Sequence, residues 1–214
     1  GEIIQEKYVE GTYRVRSWGN SATLSDGSGF PLLKRIYTTD LAFAGLTLDG
    51  KIWIWGNGQY GGSQTYSTTA STGFYIRNDG ENSGTILSGF TTISATSSAF
   101  AALNSDSVIY IWGDPTKGGS QKYYTPTAGC KYGGYIKSTL SAIVGTNLIQ
   151  SSITDAITGF TNIYSTSEAF TALKSDGSIY VWGNPSRGGT LTYVLPASVT
   201  SGSNYSGYIN DGTD

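Results

Sequence analysis

Three times along the chain an apolar run, a short polar break carrying an Asp, and a second apolar run ending in Trp-Gly follow one another: LAFAGLTLDGKIWIWG, AFAALNSDSVIYIWG and AFTALKSDGSIYVWG. Counted back from Trp55, Trp112 and Trp182, the blocks align without a gap. Ile36, Ile93 or Ile163 stands nineteen residues before the Trp, Phe43, Phe100 or Phe170 twelve before, Leu46, Leu103 or Leu173 nine before, and Asp49, Asp106 or Asp176 six before. Self-similarity at a fixed spacing means several copies of one supersecondary unit, each too small to bury its apolar faces alone.

Within the unit the pattern predicts a β-hairpin. Asp49-Gly50 and Asp176-Gly177 sit between apolar runs and read as two-residue turns, because Gly reaches positive φ without steric cost. Ser107 takes the Gly position in the second unit, which predicts strain on the order of 1 kcal/mol or a different turn. In the outgoing strand Ile52 and Ile54 point to one side and Trp53 and Trp55 to the other, since side chains alternate along a strand. A strand apolar on both faces belongs between packed layers, as between the sheets of a propeller. Ala42, Ala99 and Ala169, beside the Phe, suit strands near a crowded axis. The Phe and Trp are expected in the core, the repeated Asp as a turn-former, and Gly56, Gly113 and Gly183 where the chain turns out toward the next strand.

After each Trp-Gly, four residues lead to Gly-Gly, and then comes a Tyr-rich arm of variable length: WGNGQYGG, WGDPTKGG and WGNPSRGG open the three arms. The spacing between Trp markers grows from 57 to 70 residues accordingly. TGFYIRNDG, GGYIKST and SGYINDGTD echo one another and predict the outer strand of each unit. The longest insertion, residues 139–158, spaces Leu140, Ile143, Val144, Leu148, Ile149 and Ile153 in a way compatible with a short helix, against which its β-branched content argues. The division is then 1–29 as a degenerate repeat or lead-in strand, 30–88 as repeat 1, 89–158 as repeat 2 and 159–214 as repeat 3. In residues 1–29 the run Tyr13-Arg14-Val15-Arg16 alternates as a strand does, and Ser17-Trp18-Gly19-Asn20 echoes the signature without a following Gly-Gly. Together these predict an all-β protein: a β-propeller-like array of three clear blade repeats plus a degenerate N-terminal strand or partial blade, in one structural domain.

These residues resemble the regulator-of-chromosome-condensation repeat, whose members fold as β-propellers with four-stranded blades. The run Ala-Phe-x-Ala-Leu-x-Ser-Asp-Gly-x-Ile-Tyr-x-Trp-Gly followed by Gly-Gly is similar, more closely, to the variant found in tandem in large bacterial surface and adhesin-like proteins. The resemblance covers roughly half the chain. Members that act on small GTPases typically carry a His ahead of the strand before the Asp-Gly turn, where this chain has Leu41-Ala42, Ser98-Ala99 and Glu168-Ala169. Nucleotide exchange is therefore not carried over. Propellers of the family commonly have seven blades, so three blades and a fragment imply exposed edges, which invite pairing with another chain.

Composition narrows the chemistry further. Charged residues make up only 13% of the 214, and 13 basic against 15 acidic side chains leave a net charge of -2, which argues against a nucleic-acid partner. The longest apolar runs are too short to span a membrane. With no His and one Cys, Cys130, the chain cannot build Ser-His-Asp or Cys-His catalysis, a His-based zinc site or an intrachain disulfide. A carboxylate pair of the glycosidase kind is the remaining enzyme possibility. Glu168 and Asp114 are unit-specific carboxylates without an evident partner, whereas Asp49, Asp106 and Asp176 recur in every unit as turn residues do. Asn78-Asp79-Gly80-Glu81-Asn82 and Asn210-Asp211-Gly212-Thr213-Asp214 hold oxygen ligands enough for calcium but match no EF-hand spacing, so they read as turns. No catalytic residue, metal or cofactor is expected.

Tyr66, Tyr75, Tyr123, Tyr124, Tyr135, Tyr193 and Tyr208 lie in the arms among Ser, Thr, Gly and Asn, a mixture used by binding surfaces. They are the candidate binding residues; the alternative is that they cap the blade edges. The expectation is a non-catalytic extracellular or cell-surface interaction module, acting in adhesion or as a self-assembling subunit. Its partner would be itself, as homo-oligomer or filament, or a cell-surface protein or glycan. A lectin built on the arm tyrosines is the alternative, and a polysaccharide-active enzyme a third class.

Overall fold

A computed structural model describes residues 5–9, 12–15, 31–78, 84–138, 147–150, 152–190 and 195–209. An N-terminal hairpin, β1 (Gln5–Val9) and β2 (Thr12–Val15), comes first. The first repeat forms β3 (Leu33–Thr38), β4 (Ala42–Thr47), β5 (Ile52–Asn57) and β6 (Ala70–Tyr75). The second forms β7 (Phe90–Ala95), β8 (Ala99–Asn104), β9 (Ile109–Gly113), β10 (Lys131–Tyr135) and β11 (Asn147–Gln150). The third forms β12 (Phe160–Ser165), β13 (Ala169–Lys174), β14 (Ile179–Gly183) and β15 (Gly207–Ile209). Each repeat contains a four-stranded antiparallel meander with strands in chain order, whose fourth strand, β6, β10 or β15, is the arm's Tyr-containing echo; β11 adds a fifth strand to the second. The fold is thus all-β, three propeller blades side by side.

The N-terminal strand predicted at Tyr13 joins the first blade, where Tyr13 pairs with Leu33; Trp18-Gly19-Asn20 lies outside the described residues. Within residues 139–158, where the spacing allowed a short helix and the β-branched content argued against it, the structure forms a strand: β11 carries Leu148 and Ile149 and runs parallel to β10. The free edge of β10 offers backbone partners that an isolated turn of β-branched residues lacks. Leu140, Ile143 and Val144 lie outside the described residues.

The hairpin loop is one residue longer than expected. Gly50 N–H donates to the Thr47 carbonyl and Thr47 N–H to the Lys51 carbonyl, so Leu48, Asp49 and Gly50 form a three-residue loop. Such loops place their last residue in the left-handed region, and Gly50 and Gly177 have φ of 72° and 86°. Ser107 adopts the same conformation, φ 59°, so the second hairpin keeps the turn and carries the strain.

Side chains of the middle blade are buried on both faces, every residue of β8 and β9 included. One core cluster joins blades 1 and 2, through Ala44, Leu46 and Ile54 against Phe100, Tyr110 and Trp112. The other joins blades 2 and 3, through Ala101, Leu103 and Ile111 against Phe170, Tyr180 and Trp182. Ala42, Ala99 and Ala169 are small for a local reason: they pair across the ladder with Gly56, Gly113 and Gly183. A Cβ on Gly113 would lie 2.6 Å from the Ser98 carbonyl oxygen and 2.7 Å from the Ala99 Cα. Backbone bonds repeat between blades as well. Asp40 N–H donates to the Ser97 carbonyl, and Ser97 N–H to the Ser167 carbonyl, at 3.0 and 2.9 Å.

Candidate interaction surfaces

The recurring Trp-Gly-x4-Gly-Gly stretch builds a joint between successive blades. After the Trp-Gly, Asn57, Asp114 and Asn184 each accept a hydrogen bond from the backbone N–H two residues on and start a single 3-10 turn. The first glycine of each pair ends that turn with φ of 89°, 97° and 98°, at Gly61, Gly118 and Gly188. At the first two, the glycine lies against the Phe ring of the following blade. A Cβ on Gly61 would approach Phe100 to 2.7 Å, and one on Gly118 would approach Phe170 to 2.5 Å. The indole of the following blade closes the contact: Trp112 Nε1 donates to the Gly61 carbonyl and Trp182 Nε1 to the Gly118 carbonyl, both at 3.0 Å.

A second clasp follows the glycines. The Gln64 side chain is buried and holds Arg77 N–H and carbonyl within its own blade, while its amide donates to the Tyr110 hydroxyl of the next at 2.9 Å. Gln121 repeats this with Lys137 and the Tyr180 hydroxyl, again at 2.9 Å. A buried amide with its donors and acceptor engaged fixes the blade-to-blade register.

Among the described residues, both ends of the array lack this cover. In every blade the Phe stacks on its Trp, with centroids 5.1 Å apart for Phe43 and Trp55 and 5.2 Å for Phe100 and Trp112. Phe100 and Phe170 are 0% and 1% exposed, but Phe43 is 41% exposed, and Leu41 beside it 54%. The expectation that every Phe and Trp of the motif is core therefore fails at the first blade, where no preceding blade of the described chain lies over the ring. At the other end a Cβ on Gly188 would meet nothing within 4 Å among the described residues. A hollow lies there, lined by Tyr164, Thr166, Ala169, Phe170, Thr171 and Gly188. Ile209 is 47% exposed where its counterparts Ile76 and Ile136 are 0%.

The arm tyrosines fall into two groups. Tyr75, Tyr135 and Tyr208 close edge-on against Trp53, Tyr110 and Tyr180 of their own blades, with centroids 4.8, 5.2 and 5.1 Å apart. Tyr135 is 8% exposed, which makes it a packing residue rather than part of a surface site. Tyr66, Tyr123 and Tyr124 stitch arm to arm. Tyr66 N–H donates to the Cys130 carbonyl at 2.7 Å, and its ring and that of Tyr124 pack on the buried Cys130. Tyr123 N–H donates to the Ser203 carbonyl, its own carbonyl accepts from Gly202, and its ring meets Tyr205 edge-on at 6.5 Å. Burial raises the Tyr66, Tyr123 and Tyr124 hydroxyls above their ordinary pKa. Tyr193 lies outside the described residues, as does most of each Asn-Asp-Gly stretch considered for calcium. Asp49 and Asp176 serve their loops, Asp49 accepting from Thr47 Oγ1 and Asp176 from Ser178.

Glu168, read as lacking a partner, has two: Lys117 Nζ at 2.7 Å and the Asn184 amide at 2.6 Å. Burial works to raise its pKa, but the Lys117 hydrogen bond and charge, the Asn184 amide and the Arg187 charge outweigh this and hold it below the usual value. Asp114 is pushed the other way, above its ordinary range, because burial outweighs its bonds from Thr116. The pairing of Lys117 with Glu168 joins blade 2 to blade 3, and 50 residues of intervening chain hid it from a reading of local pattern.

No family model matches the sequence, and no curated protein matches it either. Solved structures do. Prp20p from Saccharomyces cerevisiae is similar with a TM-score of 0.50 and 16% identity, over 84% of this chain and 39% of that one. Human WBSCR16 gives 0.47 and 20% over 83% and 44%, and yeast RCC1 (Prp20) bound to Kap60 gives 0.44 and 16% over 81% and 40%. The chain thus spans less than half the length of each of these three structures. At this identity the likeness to Prp20p shows the fold alone: four-stranded blades of a β-propeller.

Proposed function

We propose that the chain is a non-catalytic interaction module of an extracellular or cell-surface protein, of the kind found in bacterial surface arrays, acting in adhesion or as a self-assembling subunit. The observation that carries this reading is the aromatic end face: Phe43 stacked on Trp55, with Leu41 and Ile36 beside it at 54% and 39% exposure. Contiguous exposed apolar side chains mark sites of association. A surface low in charge and rich in Ser, Thr and Tyr fits an extracellular setting. Prp20p is a protein known for binding Gsp1p and histones; protein binding is the part of that description which an aromatic end face would serve here.

The arm tyrosines support this reading over a lectin, because Tyr66, Tyr123 and Tyr124 are committed to arm-to-arm contacts. Light scattering coupled to size exclusion tests the assembly half, with association at tens of micromolar expected. A strictly monomeric particle at the highest concentration reached would remove it. Accessibility of the chain to protease on intact cells tests the location; full protection would place it elsewhere.

A further inference from the structure

Two junctions inside the chain show how one blade receives the next, and the two outer faces are the unmated halves of the same junction. Blade 1 offers Gly61 and Ala44 to Phe100 of blade 2, and blade 2 offers Gly118 and Ala101 to Phe170 of blade 3. Blade 3 offers the equivalents, Gly188 and Thr171, at a hollow that no further described residue fills, with Gly188 already in the conformation of Gly118, φ 98° against 97°. Blade 1 presents the complementary element, Phe43 on the same strand position as Phe100 and 41% exposed.

Polar groups are in step with the apolar ones. Along the line where Asp40 N–H meets the Ser97 carbonyl and Ser97 N–H meets the Ser167 carbonyl, the next rung would join Ser167 N–H to the Asp40 carbonyl of another molecule. Beside Gly118, Lys117 reaches forward to Glu168; beside Gly188, Arg187 is exposed and would reach forward to Leu41, over which its methylene stem can lie.

Resting on the interaction-module reading above, we infer that the occupant of both faces is a second copy of this chain, docked head-to-tail, with its Phe43 entering the hollow at Gly188. The docking continues an interface the chain already makes twice. It uses two different surfaces, so association either closes into a ring or runs on as a filament. A ring of copies holds three blades per chain, and a pair of copies gives six, within the range of closed propellers, about four to eight.

The test uses the whole chain with one blocked face at a time. Gly188→Asn fills the seat with a residue that tolerates positive φ; Ile209→Lys blocks the same face without touching that backbone. Phe43→Asp blocks the opposite face. Sedimentation velocity should show wild type as dimers or larger, and each variant weakened by at least about 100-fold, the scale of losing a central aromatic anchor. Mixing Gly188→Asn with Phe43→Asp should restore one intact junction and give a species of two chains and no larger. If wild type associates and Phe43→Asp disrupts it while Gly188→Asn and Ile209→Lys do not, the faces meet like to like and this inference falls, though self-assembly stands. If wild type stays monomeric throughout, the self-assembly reading falls with it.

Discussion

Phe100 and Phe43 occupy the same strand position, stack on the same Trp and belong to sequences that differ little around them, yet one is sealed and the other is 41% exposed. What separates them is the blade in front. Phe100 has Gly61 against its ring and its Trp112 bonded to the Gly61 carbonyl, and nothing within its own hairpin provides either. The recurring motif is therefore half of a joint, and a repeat acquires its buried core only by meeting a neighbour. That is the physical content of a solenoid-like array, in which stability is a sum of units and nearest-neighbour junctions.

Truncation at the two positions gives the largest contrast. Phe100→Ala should cost about 3–5 kcal/mol, while Phe43→Ala, at a partly solvated site, should cost under about 1.5 kcal/mol. Urea unfolding at low protein concentration measures both. Equal losses would mean that the first blade's ring is as well packed as the second's, and the comparison would collapse.

The glycines sharpen it next. Gly118→Ala places a methyl 2.5 Å from Phe170 on a backbone at φ 97°, so overpacking adds to conformational strain, for a loss of roughly 2–4 kcal/mol. Gly188→Ala has the strain alone, roughly 1–2 kcal/mol. Ser107→Gly works in the opposite direction. Freed of a left-handed Ser, the second hairpin should gain about 0.5–1 kcal/mol, read as a rise in midpoint on thermal unfolding. No gain would mean that the junction above it, where the Ser107 carbonyl accepts from Phe160 N–H, and not the turn, sets the local energy.

The smallest effect distinguishes the two internal junctions by charge. Only the second carries the Lys117 and Glu168 pair; Tyr60 and Ser98 stand at those positions in the first. Because Glu168 titrates below its ordinary 4.5, its contribution is present above about pH 4.5 and is lost as pH falls through the folded value. Glu168→Gln should remove about 0.5–1 kcal/mol at neutral pH and nothing in strong acid. A pH profile of stability parallel to wild type would show the pair to be idle.

Much of this architecture was legible in the sequence because it is local. The hairpins follow from apolar alternation and the Asp-led turn, and the fourth strand from the Tyr-Ile echo in each arm. Periodicity could not decide the strand at Leu148 and Ile149, whose partner is the edge of β10 rather than a neighbour in sequence. Nor could it show what Gly61 and Gly118 are for, because the ring each one touches belongs to the next repeat. The tyrosines misled in part. Their composition is that of a binding surface, but Tyr135 is consumed in packing against Tyr110, and burial of a ring is decided by strands that the arm itself does not contain.

The Gln clasp bears on how such units keep their order. Gln64 and Gln121 each read a Tyr hydroxyl on the following blade. At the first blade's outer face the sequence changes the partner, because Trp53 stands where Tyr110 and Tyr180 stand; Leu191, at the sequence position of Gln64 and Gln121, lies outside the described residues. A blade ending in Gln set against Trp53 would bury an amide with no hydroxyl to meet it, and mismatches of that kind cost about 1–3 kcal/mol. The junctions thus carry an address as well as an adhesive: inner faces accept inner neighbours, and the first blade's outer face is written differently, with an indole where the inner blades carry a hydroxyl.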